Sequence, residues 1–301
     1  LYPERPGAGH FPPAPGGMVF LAGFVVLFAA AIHDMLKGYL ALPTPDMTPY
    51  GLLAFLFAQS LILTRQFAGA FAATERFADH LENLNQSLER FIPREVLAFL
   101  KKDSVIDIKL GDHIEREMTV MFADIRDFTS LSEAMSPREN FNFINSYLER
   151  MGPTIRKYQG FVDKYMGDGI MALFPGSPDQ ALEAALEMQE SLGEYNSHRA
   201  KLGYRPIRVG FGIHAGNLMM GTIGESRRMD STVISDTVNV ASRLEGLTKK
   251  FGVSLMTSEA FFQKLEHPQH YEFRFLAEEA VKGKSIPIKV FEVIGTKAAN
   301  Q

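Results

Sequence analysis

Apolar and polar positions divide the chain into stretches of different kind. Leu1 to Gly17 is rich in Pro and Gly, shows no apolar period and reads as linker or loop. It opens without Met, which reads as a piece of a longer chain. Met18 to Ile32 is an unbroken apolar run, and Tyr50 to Thr64 is a second, interrupted only by Gln59 and Ser60. Between them lie His33, Asp34, Lys37 and the turn-forming Pro43, Pro45 and Pro49. Each run is shorter than the roughly 20 residues that span a bilayer. Extending the first through Leu42 admits His33, Asp34 and Lys37, which lipid tolerates where they face other helices. Residues 18–64 therefore read as a transmembrane helical hairpin. A buried hairpin of a soluble domain is the alternative. A signal peptide fits less well, since the first run lacks a basic leader and a second run follows it. Arg65 and Arg76 follow the second run, whereas the connecting loop holds only Lys37. By the positive-inside rule the part after residue 64 is cytoplasmic.

The period then changes. Phe67, Ala70, Thr74, Phe77, Leu81, Leu84, Leu88 and Phe91 alternate three and four apart, the a/d seam of a coiled coil. Glu75, Asp79, Glu82 and Arg90 fall off the seam. Residues 65–92 thus predict a parallel two-stranded coiled-coil helix, or else a helix packed on its own domain. Pro93 ends or bends it, and 93–117 reads as a connector.

From Met118 short apolar runs alternate with helical patterns. Strands are predicted over 118–124, 161–166, 170–174 and 208–214, with helices over 132–158 and 179–198. Ser132 or Ser136 caps the first helix. Gly167-Asp168-Gly169 joins two of the strands in a tight hairpin. The order βαββαβ is the α+β, ferredoxin-like arrangement. A further strand-and-helix unit follows: a strand over 231–235, a helix capped by Asp236 and running to about Lys250, then strands over 253–257 and 289–294. The region 118–295 is one domain.

Composition removes several kinds of chemistry. The 301 residues carry 31 Lys plus Arg against 35 Asp plus Glu, a net charge of -4. That balance does not fit a general nucleic-acid binder, which needs a basic surplus. There is no Cys, which excludes disulfides, a thiolate nucleophile, an iron–sulfur cluster and Cys-ligated zinc.

The informative pair is Asp124 and Asp168. Asp124 ends the first strand and Asp168 sits in the turn between the second and third. In a βαββαβ sheet the first and third strands are neighbours, so the two carboxylates meet. Together they form a hard, oxygen-only site suited to Mg2+ or Mn2+, with phosphate oxygens completing the coordination. Taken singly, Asp124 would cap the following turn and Asp168 would be an ordinary turn residue. The loop 124–130, with Phe128 and Thr129, leads from strand to helix and aims backbone N–H groups at an anion. There is no GxxxxGK[ST] loop and no GxGxxG.

FADIRDFTSLSE (122–133), DKYMGDGIMALF (163–174), VGFGIHAG (209–216), TVISDTVNVASRLE (232–245) and VKGK (281–284) resemble the class III nucleotidyl cyclases in order and spacing. The likeness runs from about Phe91 to Gly295. It implies the class III cyclase fold. Asp124 and Asp168, with Ile125, match the metal set, which holds two Mg2+ or Mn2+ ions per site. Asn239 matches the residue that orients the ribose, and Arg243 the one that stabilises the transition-state phosphate. Lys282 matches the contact to the terminal phosphates. Lys164 and Thr232 match the two base-reading positions. Lys at the first goes with ATP, where GTP enzymes typically carry Glu, and Thr at the second marks a bacterial subgroup. The resemblance therefore implies conversion of ATP to 3′,5′-cyclic AMP and pyrophosphate by a head-to-tail homodimer with two composite sites. A guanylate cyclase and a silent nucleotide-binding partner are the alternatives. The stretch TPYGLLAFLFAQSLILTRQF resembles the last helix of a seven-helix membrane module of bacterial signalling proteins, which implies a multi-pass bacterial inner-membrane protein. Two departures stand out: Asp127 replaces a Gly common in DIxGFT, and Ser235 one common just before DTVN. His214 reads as structural. No His or Glu presents itself as general base, a role left open between Asp124 and substrate phosphate.

Overall fold

A computed structural model describes residues 16–88, 91–225, 227–280 and 287–297. The chain divides into two units, Leu1–Leu84 and Asn85–Gln301.

In the first unit α1 (Gly17–Leu40) and α2 (Thr48–Leu88) form a hairpin. The helices approach closely where their side chains are small. A Cβ on Gly23 would stand 3.1 Å from that of Ala58, and one on Gly51 would stand 2.7 Å from that of Ala30. Such contacts replace hydrophobic driving force with close packing. The polar residues of the connection satisfy one another. Asp34 accepts hydrogen bonds from the backbone N–H groups of Met47 and Thr48, each at 2.7 Å, and from the Thr48 hydroxyl. It thereby caps α2 from the neighbouring helix. Lys37 pairs with Asp46 at 2.5 Å. Both helices are long and apolar enough to cross a membrane. α2 is continuous through the second apolar run and most of the seam, whose Phe67, Phe77, Leu81 and Leu84 are exposed. It ends at Leu88, so Phe91 lies beyond it.

The second unit is built on one sheet. Its elements are α3 (Arg94–Phe99), β1 (His113–Ile125), α4 (Phe128–Ser132), α5 (Pro137–Lys157), β2 (Phe161–Met166), β3 (Gly169–Phe174), α6 (Pro178–Lys201), β4 (Val209–Glu225), β5 (Arg228–Ile234), α7 (Asp236–Phe251), β6 (Leu255–Ser258), α8 (Glu259–Phe262), β7 (Tyr271–Glu279) and β8 (Ile288–Thr296). The strand order is β2-β3-β1-β4-β6-β8-β7, with β5 paired to β4. The βαββαβ core is as expected, and β1 lies antiparallel between β3 and β4.

Both faces of β1 are covered over residues 118–123, which explains the mainly apolar run there. Met121, Ala123 and Ile125 enter a core with Tyr147, Met151 and Ile155 of α5 and Leu182 and Met188 of α6. Met118 and Val120 face the other way, toward Val96 and Ala241. Gly210, Gly212 and Gly216 of β4 lie where α7 crosses it. A side chain at Gly212 would collide with the backbone of Glu245 and Ala241, so α7 rests almost on the strand itself.

Several elements differ from the sequence expectation. β1 begins at His113 rather than Met118, and β4 runs on to Glu225 rather than ending at His214. β5 begins at Arg228, and the edge strand β7 has no counterpart in the expectation. Ser136 opens α5 through a capping box with Glu139. The cap of α7 is Ser235, one residue before Asp236: its hydroxyl accepts from Thr237 N–H and donates to the Asn217 carbonyl, both at 2.8 Å.

Asp127 stands before α4 with φ 56°, the left-handed conformation that Gly adopts without strain. Lys249 at 2.7 Å and Arg208 at 3.8 Å pair with its carboxylate. Both pairs are exposed and contribute little. The thermal midpoint should therefore rank Asp127→Gly above wild type and wild type above Asp127→Ala, since Asp tolerates this region better than Ala. An Ala variant melting above the Gly variant would contradict this order.

Candidate active site

The β1–β3 register runs from Thr119 opposite Phe174 to Ala123 opposite Ile170. It leaves Asp124 at the end of β1 beside the β2–β3 turn, where Gly167 with φ 68° lets the chain reverse. The turn delivers Asp168, whose charge acts directly on the Asp124 carboxyl. Ile125 N–H donates to Asp168 Oδ2 at 3.2 Å. Ile125 thus serves the site through its backbone, while its side chain is buried in the core. Gly169 completes the turn: a Cβ there would press on Asp124 Oδ1 at 3.1 Å.

Burial pushes Asp124 up to about 7, and the charges of Asp168 and Glu245 add to the effect. Burial also raises Asp168. In the metal-free protein the pair therefore holds a proton more tightly than free carboxyl groups do. A divalent cation would take the proton's place, and two half-buried carboxylates are the donor set that hard cations select. Among the described residues no group of three or more His, Asp or Glu side chains could hold a metal ion. Further ligands would have to come from backbone carbonyls such as that of Ile125, from substrate or from water.

Two neighbours of the pair carry no signal in the sequence reading. Glu245 faces the pair across the sheet: a Cβ on Gly210, the partner of Asp124 in β4, would lie 2.7 Å from Glu245 Oε1. Burial raises the Glu245 carboxyl, and Arg126 opposes that rise. Tyr147 is fully buried, its hydroxyl has no hydrogen-bond partner among the described residues, and its ionisation is suppressed by burial and by the charge of both aspartates. The i, i+4 spacing of the α7 pattern could have flagged Glu245, but its role depends on the glycine row beneath it.

The other expected residues fall elsewhere. Asn239 and Arg243 lie on the exposed face of α7. Arg243 precedes Glu245 by two residues, about 200° around the helix, so it points away from the aspartates of its own chain. Lys164 on β2 lines a cleft of about 940 Å3 together with Ser231, the neighbour of Thr232 on β5. Lys282 lies outside the described residues. The loop expected to hold phosphate is narrower than supposed. Ile125 N–H is engaged by Asp168, and Arg126 N–H by the Arg208 carbonyl at 2.8 Å. Phe128 stacks on Phe143 with centroids 6.3 Å apart, and Thr129 is exposed. His214 is buried and hydrogen-bonded to Ser258 Oγ at 2.6 Å, a structural role.

Comparison with known proteins agrees with this geometry. The family model for the adenylate and guanylate cyclase catalytic domain matches residues 113–294, and the chain belongs to that family. An adenylate cyclase of Anabaena cylindrica is 43% identical over 228 residues, which cover 74% of this chain and 45% of that protein. The chain thus spans less than half the length of that relative. A bacterial light-regulated adenylyl cyclase of known structure gives a TM-score of 0.64 at 25% identity, covering 75% of this chain and 65% of the other. The guanylyl cyclase Cya2 gives 0.53 at 28% identity, covering 62% and 96%. Cyclases of both nucleotides share the fold, so the choice of base rests on side chains.

A carboxyl group raised on folding binds its proton more tightly in the folded chain. Stability is then lost as pH rises from the unfolded value of about 3.9 through about 7. Metal-free wild type should lose thermal stability between about pH 5 and about pH 8 more steeply than Asp124→Asn. Mg2+ or Mn2+ at the higher pH should restore wild type and leave the variant unmoved. Equal pH slopes, or equal cation effects, in thermal unfolding with and without chelator would refute the paired site.

Proposed function

We propose that the chain works as a membrane-anchored adenylate cyclase, converting ATP to 3′,5′-cyclic AMP and pyrophosphate at sites shared by two copies. The observation that carries this reading is the Asp124–Asp168 pair, held at adjacent strand ends in a domain of the cyclase family. These carboxylates would hold the divalent cations, two Mg2+ or Mn2+ on the family pattern, which would screen the triphosphate and lower the pKa of the 3′-hydroxyl. The 3′-hydroxyl would give its proton to Asp124 or to a substrate phosphate oxygen, its oxygen would bond to the α-phosphorus in line, and the bond from that phosphorus to pyrophosphate would break.

The direction of Arg243 supports a composite site. It faces away from its own aspartates, and so does Asn239, one helical turn earlier on the same face. In a head-to-tail dimer both would meet the partner's aspartates, with Asn239 orienting the ribose and Arg243 stabilising charge on the phosphate. The exposed Met219, Ile223, Met229 and Ile234 of the β4–β5 ribbon fit such an interface. Phe128, Thr129 and Lys282 belong to the phosphate side in this reading. Lys164 and Thr232 take the base. Lys164 can only donate, which suits adenine N1, whereas the Thr232 hydroxyl can accept from the 6-amino group. The length and apolar character of α1 and α2 support anchoring in a membrane, and the Arg residues after the second apolar run support a cytoplasmic catalytic domain.

Purified protein offered ATP and GTP together should yield cyclic AMP; cyclic GMP as the main product would overturn the base assignment. Lys164→Glu should lower the ATP-to-GTP ratio of kcat/KM by about tenfold or more, and an unchanged ratio would remove Lys164 from the base pocket. Asp124→Ala and Arg243→Ala should each reduce kcat by about 100-fold or more. Mixed together, the two variants should regain activity, because one heterodimer site keeps both residues. No recovery despite demonstrated subunit exchange would rule out shared sites.

A further inference from the structure

β2 does not pair evenly with β3. Val162 stands opposite Ala172 and Lys164 opposite Met171, so the register shifts at Asp163. Asp163 is the extra residue of a β-bulge, a device that re-aims side chains at a strand edge. Regular alternation would send Asp163 and Lys164 to opposite faces. Instead both line the same cleft, which Tyr165, Arg156, Asp230 and Ser231 also line.

The Asp163 side chain is only 1% exposed, against 36% for Lys164, and its Oδ2 lies 3.4 Å from Lys164 Nζ. That oxygen makes no hydrogen bond among the described residues. Burial raises the Asp163 carboxyl, and Lys164 opposes the rise. A buried carboxylate oxygen without a hydrogen bond is costly, and a neutral residue would pack there at less cost. Its one ion pair among the described residues points at the side chain that reads the base. Lysine carries a flexible four-carbon stem and three rotatable donors, so left alone it selects weakly between purine edges. Thr232, the other base-reading position, has no charge with which to hold an ammonium.

We propose that Asp163 is a positioning residue for base selection, its buried carboxylate fixing the Lys164 ammonium so that the remaining N–H donors face the purine. The inference rests on the reading of Lys164 as a base contact.

The test compares Asp163→Asn, Lys164→Ala and the double variant, using kcat/KM for ATP and GTP together with thermal unfolding. Asp163→Asn should lower the ATP-to-GTP ratio about tenfold, mainly through KM for ATP. Its thermal midpoint should equal or exceed that of wild type, since an amide replaces an under-satisfied buried charge. Against Lys164→Ala, Asp163→Asn should have no further effect on the ratio, because the two act as one unit. Asp163→Glu, which keeps the charge, should retain more selectivity than Asp163→Asn. If Asp163→Asn fails to fold, Asp163→Ser takes its place in the cycle. A ratio unmoved by Asp163→Asn while Lys164→Ala shifts it would overturn the inference and leave the Lys164 assignment standing. A ratio unmoved by Lys164→Ala would overturn both. Equal loss for the two nucleotides with a lowered midpoint would make Asp163 merely structural and also overturn it.

Discussion

Backbone pairing brings Asp124 and Asp168 together, and their own charge resists it. The register of β1 against β3 puts one carboxylate at a strand end, and the Gly167 turn brings the other beside it. Ile125 N–H holds the second in place. The surroundings are poor in solvent and add a third carboxylate in Glu245, partly offset by Arg126. Such a cluster tolerates either a proton or a cation, and few other occupants. The rest of the domain follows from it. α7 must lie close over β4 to bring Glu245 near, and the glycines of β4 make room. The same close seating leaves Asn239 and Arg243 on the outer face, with no role toward the aspartates of their own chain.

Elements whose two faces are both buried were the easiest to read from sequence. β3 and the inner half of β1, residues 118–123, carry mainly apolar runs, and the turn between β2 and β3 is written in Gly167-Asp168-Gly169. The aspartate pair was therefore legible from topology alone. The far half of β4 was not, because GNLMMGTIGE reads as loop: its glycines and exposed residues mask a strand whose stability comes from pairing with β1 and β5. β7 went unseen for a related reason. It is an edge strand whose alternation, Tyr271-Glu272-Phe273-Arg274-Phe275, is broken after Phe275, where its register against β8 shifts. The bulge at Asp163 and the approach of Glu245 depend on register and on helix seating, which composition and period do not encode.

The two departures from the common cyclase pattern have separate local explanations. Ser235 occupies extended backbone with φ -172°, where any residue fits, and adds a helix cap. Asp127 occupies left-handed backbone, where glycine fits best, and is flanked by cations on both sides. One substitution improves its site and the other is only accommodated.

The continuity of α2 sets an angular relation along the protein. Each residue turns the helix by about 100° and advances it by about 1.5 Å. Between Tyr50 and Leu84 there is no break, so the direction in which the apolar run faces fixes the azimuth of Phe67, Phe77 and Leu81 on the seam. A single residue inserted near Arg65 would rotate the whole seam by about a quarter turn relative to the apolar run. Seven residues would nearly restore its phase while lengthening the helix by about 10 Å. The helix is thus a rod whose phase matters more than its length.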